Sequence, residues 1–132
     1  MICLEGKTIG LRNSELLIII PAYNESGNIE KTIKMIEEHT PEFDYVIIND
    51  CSTDHTLEIC RNNNFNVIDL PINLGIGGAV QTGYQYAVKN GYQYAVQVDG
   101  DGQHNPEFIR KMLQVLQEKN VNMVIGSRFI EN

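Results

Sequence analysis

The chain alternates short apolar runs with longer segments in which apolar residues recur at three- and four-residue steps. An apolar run bounded by turn residues is typical of a buried strand, and the longer spacing is typical of a helix. The predicted strands cover residues 16–20, 45–48, 67–70, 92–98 and 123–125. The predicted helices fall around residues 29–36, 57–59, 79–88 and 109–116, the last with Pro106 near its first turn.

This order predicts an α/β fold with a mostly parallel, doubly wound sheet, because strands and helices that alternate through short connections form right-handed crossovers. No linker or low-complexity tract divides the chain, and its 132 residues with 42% hydrophobic content suffice for one core. We therefore expect a single domain over residues 1–132. The chain stops soon after the fifth predicted strand, so we expect the sheet to be truncated there.

The six letters GYQYAV occur twice, eight residues apart. A repeat array would show further copies at a fixed period, and only two are present. The first copy has helical spacing and is followed by Lys89, Asn90 and Gly91, which form a helix stop signal. In the second copy apolar and polar residues alternate as in a strand, which runs up to Asp99. The same letters are therefore predicted to form two different elements.

The charge balance limits the possible partners of the chain. Ten Lys and Arg against seventeen Asp and Glu give a formal net charge of -7. Such a balance argues against a nucleic acid bound through a basic face. A phosphorylated ligand held near these acids would need a metal cation to bridge the like charges.

The cysteines and the apolar runs indicate the compartment. Cys3, Cys51 and Cys60 match neither a disulfide framework nor a zinc pattern, which favours a reducing compartment such as the cytoplasm. The start of the chain lacks the layout of a signal peptide, and the longest apolar run, LLIII, is too short to cross a bilayer. We expect no membrane span in this chain.

The segment DGDGQH follows the fourth predicted strand. In an extended backbone Asp99 and Asp101 would place both carboxylates on one side, and Gly100 and Gly102 would let a ligand approach the main chain. Magnesium and manganese prefer such oxygen ligands. The alternative is an ordinary turn, in which Asp and Gly are also common.

The segment PAYNESGN follows the first predicted strand. Pro21 is expected to end that strand, and Asn24 or Ser26 to cap the next helix. Tyr23 and Glu25 remain, and an aromatic ring with a carboxylate at the edge of a sheet suits a base or a ribose.

The segment NDCSTDHT follows the second predicted strand in the same way. Ser52 or Thr53 is expected to cap the following helix. Asp50 and Asp54 are either acids of its first turn or acceptors for donors of a base or ribose.

Two further signals come from NLGIGGA and GSRF. The glycines of NLGIGGA, Gly78 among them, would let backbone N–H groups face an anion at a helix N-terminus, or would simply allow close packing. A Rossmann fingerprint fails, because Val80 stands where a third glycine should follow Gly75 and Gly77. Arg128 is a fixed cation that suits a phosphate.

Four of these signals would meet at the carboxyl edge of one parallel sheet, after the first, second, fourth and fifth predicted strands, where ligands of open α/β sheets bind. Over residues 16–130, the ordered set PAYNE, NDCSTD, NLGIGGA, DGDGQH and GSRF resembles the family-two GT-A glycosyltransferases. The branch that it resembles most includes dolichol-phosphate mannosyltransferase and bacterial polyprenol-phosphate glycosyltransferases.

The resemblance implies a nucleotide-sugar-binding GT-A domain and gives individual residues of this chain a role in it. A nucleoside diphosphate sugar, linked to UDP or GDP, would bind with Mg²⁺ or Mn²⁺. Metal and diphosphate would be held by Asp99, Asp101 and Gln103, with Asp101 and Arg128 as the catalytic residues. The cofactor-binding residues would be Pro21, Ala22, Tyr23, Glu25, Asp50, Asp54, Gly78 and Asp99.

The implied reaction is inverting sugar transfer, with the metal neutralising the leaving diphosphate. A polyprenyl phosphate is the implied acceptor class and needs little base, since it is already anionic. The full-length protein would act in the cytoplasm or on the cytoplasmic face of a membrane.

Two departures from the family pattern stand out. Cys51 stands where the family often has glycine or asparagine. The acceptor-binding region expected after this point is absent, so we expect a donor-binding half that is inactive by itself.

Two other function classes remain open at the level of sequence. One is a noncatalytic nucleotide-sugar-binding module. The other is a receiver-like signalling domain that accepts phosphate on an aspartate, which fits less well because receivers concentrate their acids after the first and third strands. The sequence leaves the base, the sugar and self-association of the chain undetermined.

Overall fold

The five buried residues 16–20 lie in the middle of a sheet. The structure, a computed structural model, describes residues 2–3, 14–100 and 105–119. Its strands are β1 (Ile2–Cys3), β2 (Leu16–Ala22), β3 (Asp44–Asn49), β4 (Val67–Asp69) and β5 (Tyr94–Gln97). Its helices are α1 (Ile29–His39), α2 (Thr56–Asn62), α3 (Gly75–Lys89) and α4 (Glu107–Lys119).

The sheet has the strand order β1-β5-β2-β3-β4. Strands β5, β2, β3 and β4 are parallel, with Ile18 of β2 paired to Tyr45 of β3 and to Val96 of β5. This confirms the predicted mostly parallel α/β fold. The two-residue edge strand β1, antiparallel to β5, was not predicted because two residues carry no periodic signal. The strand predicted at 123–125 lies outside the described residues.

Both faces of the sheet are covered by helices, which explains why β2 is a continuous apolar run rather than an alternating one. Leu16, Ile18 and Ile20 pack in one core cluster with apolar residues of α1, α2 and α4. Leu17 and Ile19 pack in the other with apolar residues of α3. The predicted doubly wound arrangement is therefore confirmed.

The two GYQYAV copies form different elements, as predicted. Residues 83–88 belong to α3, whereas residues 91–93 lead into β5 and residues 94–96 belong to that strand. Their glycines serve different purposes: Gly83 brings α3 close to β2, and Gly91 has a left-handed backbone with φ 76°. The strand is shorter than predicted, since Tyr92 precedes it and its hydroxyl donates a hydrogen bond to Asp44 Oδ2 over 2.7 Å.

The helices were compared with the length and hydropathy that a membrane-spanning helix requires. None of them is long and apolar enough to cross a membrane within the part of the chain that the structure describes.

Gly83→Ala is expected to destabilise the fold by about 1–3 kcal/mol, because overpacking a close-packed contact costs this much. The added Cβ would lie 2.3 Å from Cγ2 of the fully buried Ile19. Gly77→Ala is the matched control in the same helix, since its Cβ would meet nothing within 4 Å. Alanine is favoured over glycine in a helix, so the control should gain up to about 1 kcal/mol. Urea unfolding of both variants measures the difference, and equal effects would contradict the close contact.

Cys51→Gly is expected to stabilise the protein by about 0.5–1 kcal/mol, because a left-handed backbone is costly for a residue with a Cβ. Cys51 has φ 57°, and among the described residues its side chain makes one long contact, 3.7 Å from Sγ to the carbonyl oxygen of Pro71. Cys51→Ala is the control, since it removes the thiol and keeps the Cβ. If both variants change the free energy of unfolding equally, the thiol rather than the backbone is responsible.

Candidate functional site

The carboxyl ends of β5, β2 and β3 lie side by side, which brings three of the sequence motifs to one edge of the sheet. The N–H of Asp50 donates to the carbonyl oxygen of Ala22 over 2.9 Å, and the N–H of Val98 donates to that of Ile19 over 2.9 Å. PAYNE therefore has the segment that begins with Asp99 on one side and NDCSTD on the other. The sequence correctly predicted that PAYNE, NDCSTD and the first residues of DGDGQH meet at this edge; GSRF, the fourth motif of that prediction, lies outside the described residues.

Pro21 does not end β2, which continues to Ala22. The pairing of β2 with β5 ends at Ile19. The backbone of Pro21, two residues later, faces the same neighbouring strand as that of Ile19, so its missing N–H falls beyond the last hydrogen bond between β2 and β5. Tyr23 follows with 48% of its surface exposed at the edge of the sheet. Glu25 is half-buried, and its Oε2 accepts a hydrogen bond from Asn28 Nδ2 over 3.4 Å.

Asp50 is a buried carboxylate, with only 4% of its surface exposed. Its Oδ1 accepts a hydrogen bond from the N–H of Leu74 over 2.6 Å, and its carbonyl oxygen accepts one from Asn73 Nδ2 over 3.2 Å. Asp50 therefore fixes the start of NLGIGGA. Its Oδ2 has no hydrogen-bond donor among the residues that the structure describes, and a buried acceptor of this kind requires an explanation.

Asp54 differs from Asp50, because both of its carboxylate oxygens accept hydrogen bonds. Oδ2 accepts from the N–H of Ser26 over 3.1 Å, and Oδ1 accepts from the N–H of Thr56 over 2.9 Å and from its hydroxyl. Burial alone would raise the pKa of Asp54, but these hydrogen bonds outweigh it and lower the pKa to about 2. Asp54 is consequently ionised throughout the physiological range.

The predicted helix caps are wrong. α1 is preceded by Asn28 and α2 by His55, and neither side chain makes a capping hydrogen bond. Asn24 Oδ1 instead accepts hydrogen bonds from the N–H groups of Thr53, over 2.8 Å, and Asp54, over 3.3 Å. The helices begin two to four residues later than the proposed caps require, and the polar side chains join the two loops instead. A polar residue after a strand is compatible with a helix cap and with a side chain that joins two loops. The sequence therefore did not reveal that these residues join the loops.

The NLGIGGA segment begins α3 at Gly75, whose φ is 77°. Gly78 is the fourth residue of that helix, and a Cβ added to it would lie 2.6 Å from Cβ of Leu74. Close packing is thus one reason for glycine at this position. The N–H of Leu74, just before the helix, is already bonded to Asp50. Contact between Gly78 and a ligand stays a prediction.

Gly100 lies against the PAYNE loop, and Asp99 directly precedes it in the chain. Asp99 is half-buried, and its Oδ1 accepts a hydrogen bond from Gln97 Nε2 over 3.2 Å. The carbonyl oxygen of Gly100 accepts one from the buried Thr32 hydroxyl over 3.2 Å. A Cβ at Gly100 would lie 3.5 Å from the carbonyl oxygen of Pro21 and 3.7 Å from Cγ of Glu25.

Several predicted site residues lie outside the described residues. They are Asp101, Gln103 and Arg128. Within residues 14–100 and 105–119 there is no group of three or more His, Cys, Asp or Glu side chains that suits a metal ion. Two of the three predicted metal ligands, Asp101 and Gln103, lie outside the described residues, so the metal site stays a prediction.

Comparison with known proteins gives relatives that include several named glycosyltransferases. The undecaprenyl-phosphate mannosyltransferase of Micrococcus luteus is 30% identical over 118 residues, which cover 86% of this chain and 48% of that protein. The chain spans about half the length of the curated relatives it matches.

Solved structures share the fold. S. aureus TarS 1–349 in complex with UDP has a TM-score of 0.63 and 28% identity, and the match covers 80% of this chain and 32% of that one. The mannosyltransferase PcManGT from Pyrobaculum calidifontis, in complex with GDP-Man and Mn²⁺, has a TM-score of 0.65 over 85% of this chain and 35% of that one. Its identity is 18%, so it supports the fold alone.

The family model described as Glycosyl transferase family 2 matches residues 17–132. This match includes all five motifs on which the resemblance rested, and it covers β2 almost from its first residue. The expectation of a family-two GT-A sheet is confirmed: the chain belongs to glycosyl transferase family 2.

Proposed function

We propose that this chain is the donor-binding part of an inverting glycosyltransferase. It binds a nucleoside diphosphate sugar through a divalent cation, and the sugar is transferred to a polyprenyl phosphate. The observation that carries the proposal is the buried carboxylate of Asp50, whose Oδ2 has no donor among the described residues, at the sheet edge where Tyr23 is exposed. A nucleoside supplies both an N–H or O–H donor for the carboxylate and a flat face for the ring.

The nucleoside is assigned to the part of the edge between β2 and β3. Pro21 and Ala22 form the floor there as the last residues of β2, and Tyr23 and Glu25 follow them. Asp50 accepts a hydrogen bond from the base or the ribose. UDP in the TarS complex and GDP-Man in the PcManGT complex identify the two nucleotides to test first.

The diphosphate is assigned to the segment after β5. Asp99 supplies a carboxylate beside the PAYNE loop, and Asp101 and Gln103 extend the set with further oxygen donors, which suits Mg²⁺ or Mn²⁺. The formal net charge of -7 requires a cation between these acids and an anionic ligand. When bound, such an ion stabilises the charge that develops on the leaving diphosphate.

The acceptor side of the reaction follows from its chemistry. A polyprenyl phosphate oxygen is already anionic and attacks the sugar without a strong base. Asp101 is therefore not needed as a base and positions the donor, and Arg128 holds a phosphate. The name of the Micrococcus relative supports a lipid phosphate as the acceptor and, with it, the cytoplasmic face of a membrane as the place of reaction. Family membership removes the receiver-like alternative, and a noncatalytic nucleotide-sugar module is the remaining rival.

Calorimetric titration of the 132-residue chain with UDP, GDP, UDP-GlcNAc and GDP-mannose, with and without Mn²⁺, tests the donor site. We expect one nucleotide series to bind in a metal-dependent manner. Asp50→Asn keeps an acceptor for Leu74 and removes the charge, and it should weaken binding about 10–100-fold, as for the loss of one or two charge-assisted hydrogen bonds. The double variant Asp99→Asn, Asp101→Asn should abolish the effect of Mn²⁺.

Glu118→Gln on the exposed face of α4 is the control, since it changes the net charge by the same amount as Asp50→Asn. It should bind as the wild type does. No binding of any nucleotide by a folded wild-type chain would contradict the proposal. Binding by this chain, but no sugar transfer to undecaprenyl phosphate after an acceptor-binding region has been joined to it, would favour the noncatalytic module over the enzyme.

A further inference from the structure

We propose that Asn24 and Asp54 are positioning residues that hold the two loops of the donor site together, and that Asp54 acts through this role instead of contacting the ribose. This inference rests on the proposed function. We name the side chains of Asn24, Ser52, Asp54 and Thr56 the inter-loop clamp. They join loop 23–28, between β2 and α1, to residues 50–56, between β3 and the start of α2.

Three consecutive backbone N–H groups of the first loop donate to side chains of the clamp. The N–H of Asn24 donates to Ser52 Oγ over 3.0 Å, that of Glu25 to Thr56 Oγ1 over 2.9 Å, and that of Ser26 to Asp54 Oδ2 over 3.1 Å. Each bond spans 28 or more residues of sequence. Every N–H from residue 24 to residue 26 is thus bonded to the second loop.

The second loop is bonded back to the first through a single side chain. Asn24 Oδ1 accepts from the N–H of Thr53 over 2.8 Å, from its hydroxyl over 3.3 Å and from the N–H of Asp54 over 3.3 Å. The backbone of Asn24 is left-handed, with φ 53°, and asparagine adopts this conformation more readily than most residues. Both the backbone and the side chain of Asn24 therefore suit this position.

The clamp is anchored in the sheet. The Ser52 hydroxyl donates to Oδ1 of Asn49, the last residue of β3, and Asn49 Nδ2 donates to Asp69 Oδ1 of β4 over 2.8 Å. Asn49 is 1% exposed, so this anchor is fixed by burial as well as by hydrogen bonds. The position of Asn24 is therefore tied to two strands beyond its own.

The clamp lies next in sequence to the residues assigned to the nucleoside. Tyr23 precedes Asn24, Glu25 follows it, and Asp50 lies two residues before Ser52. A displacement of about 1 Å between Tyr23 and Asp50 would prevent both from meeting one nucleoside. Because three donors already occupy the carboxylate of Asp54, its contribution is to hold this separation constant.

Asn24→Gly tests the clamp, because glycine keeps the left-handed backbone and removes only the side chain. Asn64→Gly is the matched control: Asn64 has φ 55°, and its side chain makes no hydrogen bond within the described part of the chain. Asn24→Asp is the rescue variant, since it retains the oxygen that accepts from Thr53. Asp54→Asn is a fourth variant, and all four are compared with the wild-type 132-residue chain.

Two measurements are made on each variant. Amide hydrogen exchange by NMR reports the N–H groups of Thr53 and Asp54. Calorimetry gives the affinity for UDP and GDP with Mn²⁺, and for pyrophosphate with Mn²⁺ as a ligand without a nucleoside. For Asn24→Gly we expect exchange at both amides to accelerate at least about tenfold and nucleotide affinity to fall about tenfold, as for the loss of one strong hydrogen bond. Pyrophosphate affinity should be unchanged, and Asn64→Gly should match the wild type.

The outcomes separate this inference from the proposed function. Faster exchange with unchanged nucleotide affinity would overturn the positioning role, as would unchanged exchange in Asn24→Gly. Equal loss of nucleotide and pyrophosphate affinity would also overturn it, since general loosening of the fold moves both. Failure of the wild type to bind any nucleotide would overturn the proposed function and the positioning role together, whereas recovery of affinity in Asn24→Asp supports both.

Discussion

The burial of β2 on both faces and along both edges is the constraint on which the rest of the structure depends. β2 pairs with β3 and β5, and its apolar side chains alternate between two separate core clusters. The helix on one side can pack against Ile19 only because Gly83 has no side chain. A strand held in this way has no freedom to shift in register, since a slip of one residue would exchange the two faces. Its carboxyl end therefore delivers Tyr23 and Glu25 to a fixed point.

A strand that ends inside such a sheet exposes backbone groups that need partners, and the loops of this chain supply them to one another. The N–H groups of residues 24–26 would be costly to leave unbonded at the half-buried edge, and the side chains of the β3–α2 loop accept all three. Satisfying the backbone and fixing the candidate site are thus one and the same process. This explains why polar residues follow β2 and β3 in such density without all of them being ligand contacts.

The sequence was sufficient for features that repeat along the chain and insufficient for those that depend on a single long-range contact. Hydrophobic spacing predicted the parallel order and separated the two GYQYAV copies, because strand and helix periods differ over six residues. The helix caps were misassigned, because Asn24 after β2 and Ser52 after β3 read locally as capping residues, whereas the hydrogen bonds by which they join the two loops span 28 or more residues. β1 was missed for a similar reason: two residues pair with β5 without any pattern of their own.

Three aspartates of this edge differ in the hydrogen bonds that already stabilise their charge. Asp54 accepts three hydrogen bonds from the protein, and its pKa of about 2 shows that its charge is stabilised without any ligand. Asp50 accepts one hydrogen bond with Oδ1, at the N-terminal end of α3, and presents a second oxygen that a neutral donor of a nucleoside would satisfy. Asp99 receives an amide donor from Gln97 but stands two residues before another aspartate, where charges of one sign accumulate. A bound cation stabilises carboxylates most where they are adjacent to one another, and least where N–H groups already donate hydrogen bonds to them. That order supports the proposed roles of the three aspartates: structural for Asp54, nucleoside binding for Asp50 and cation binding for Asp99.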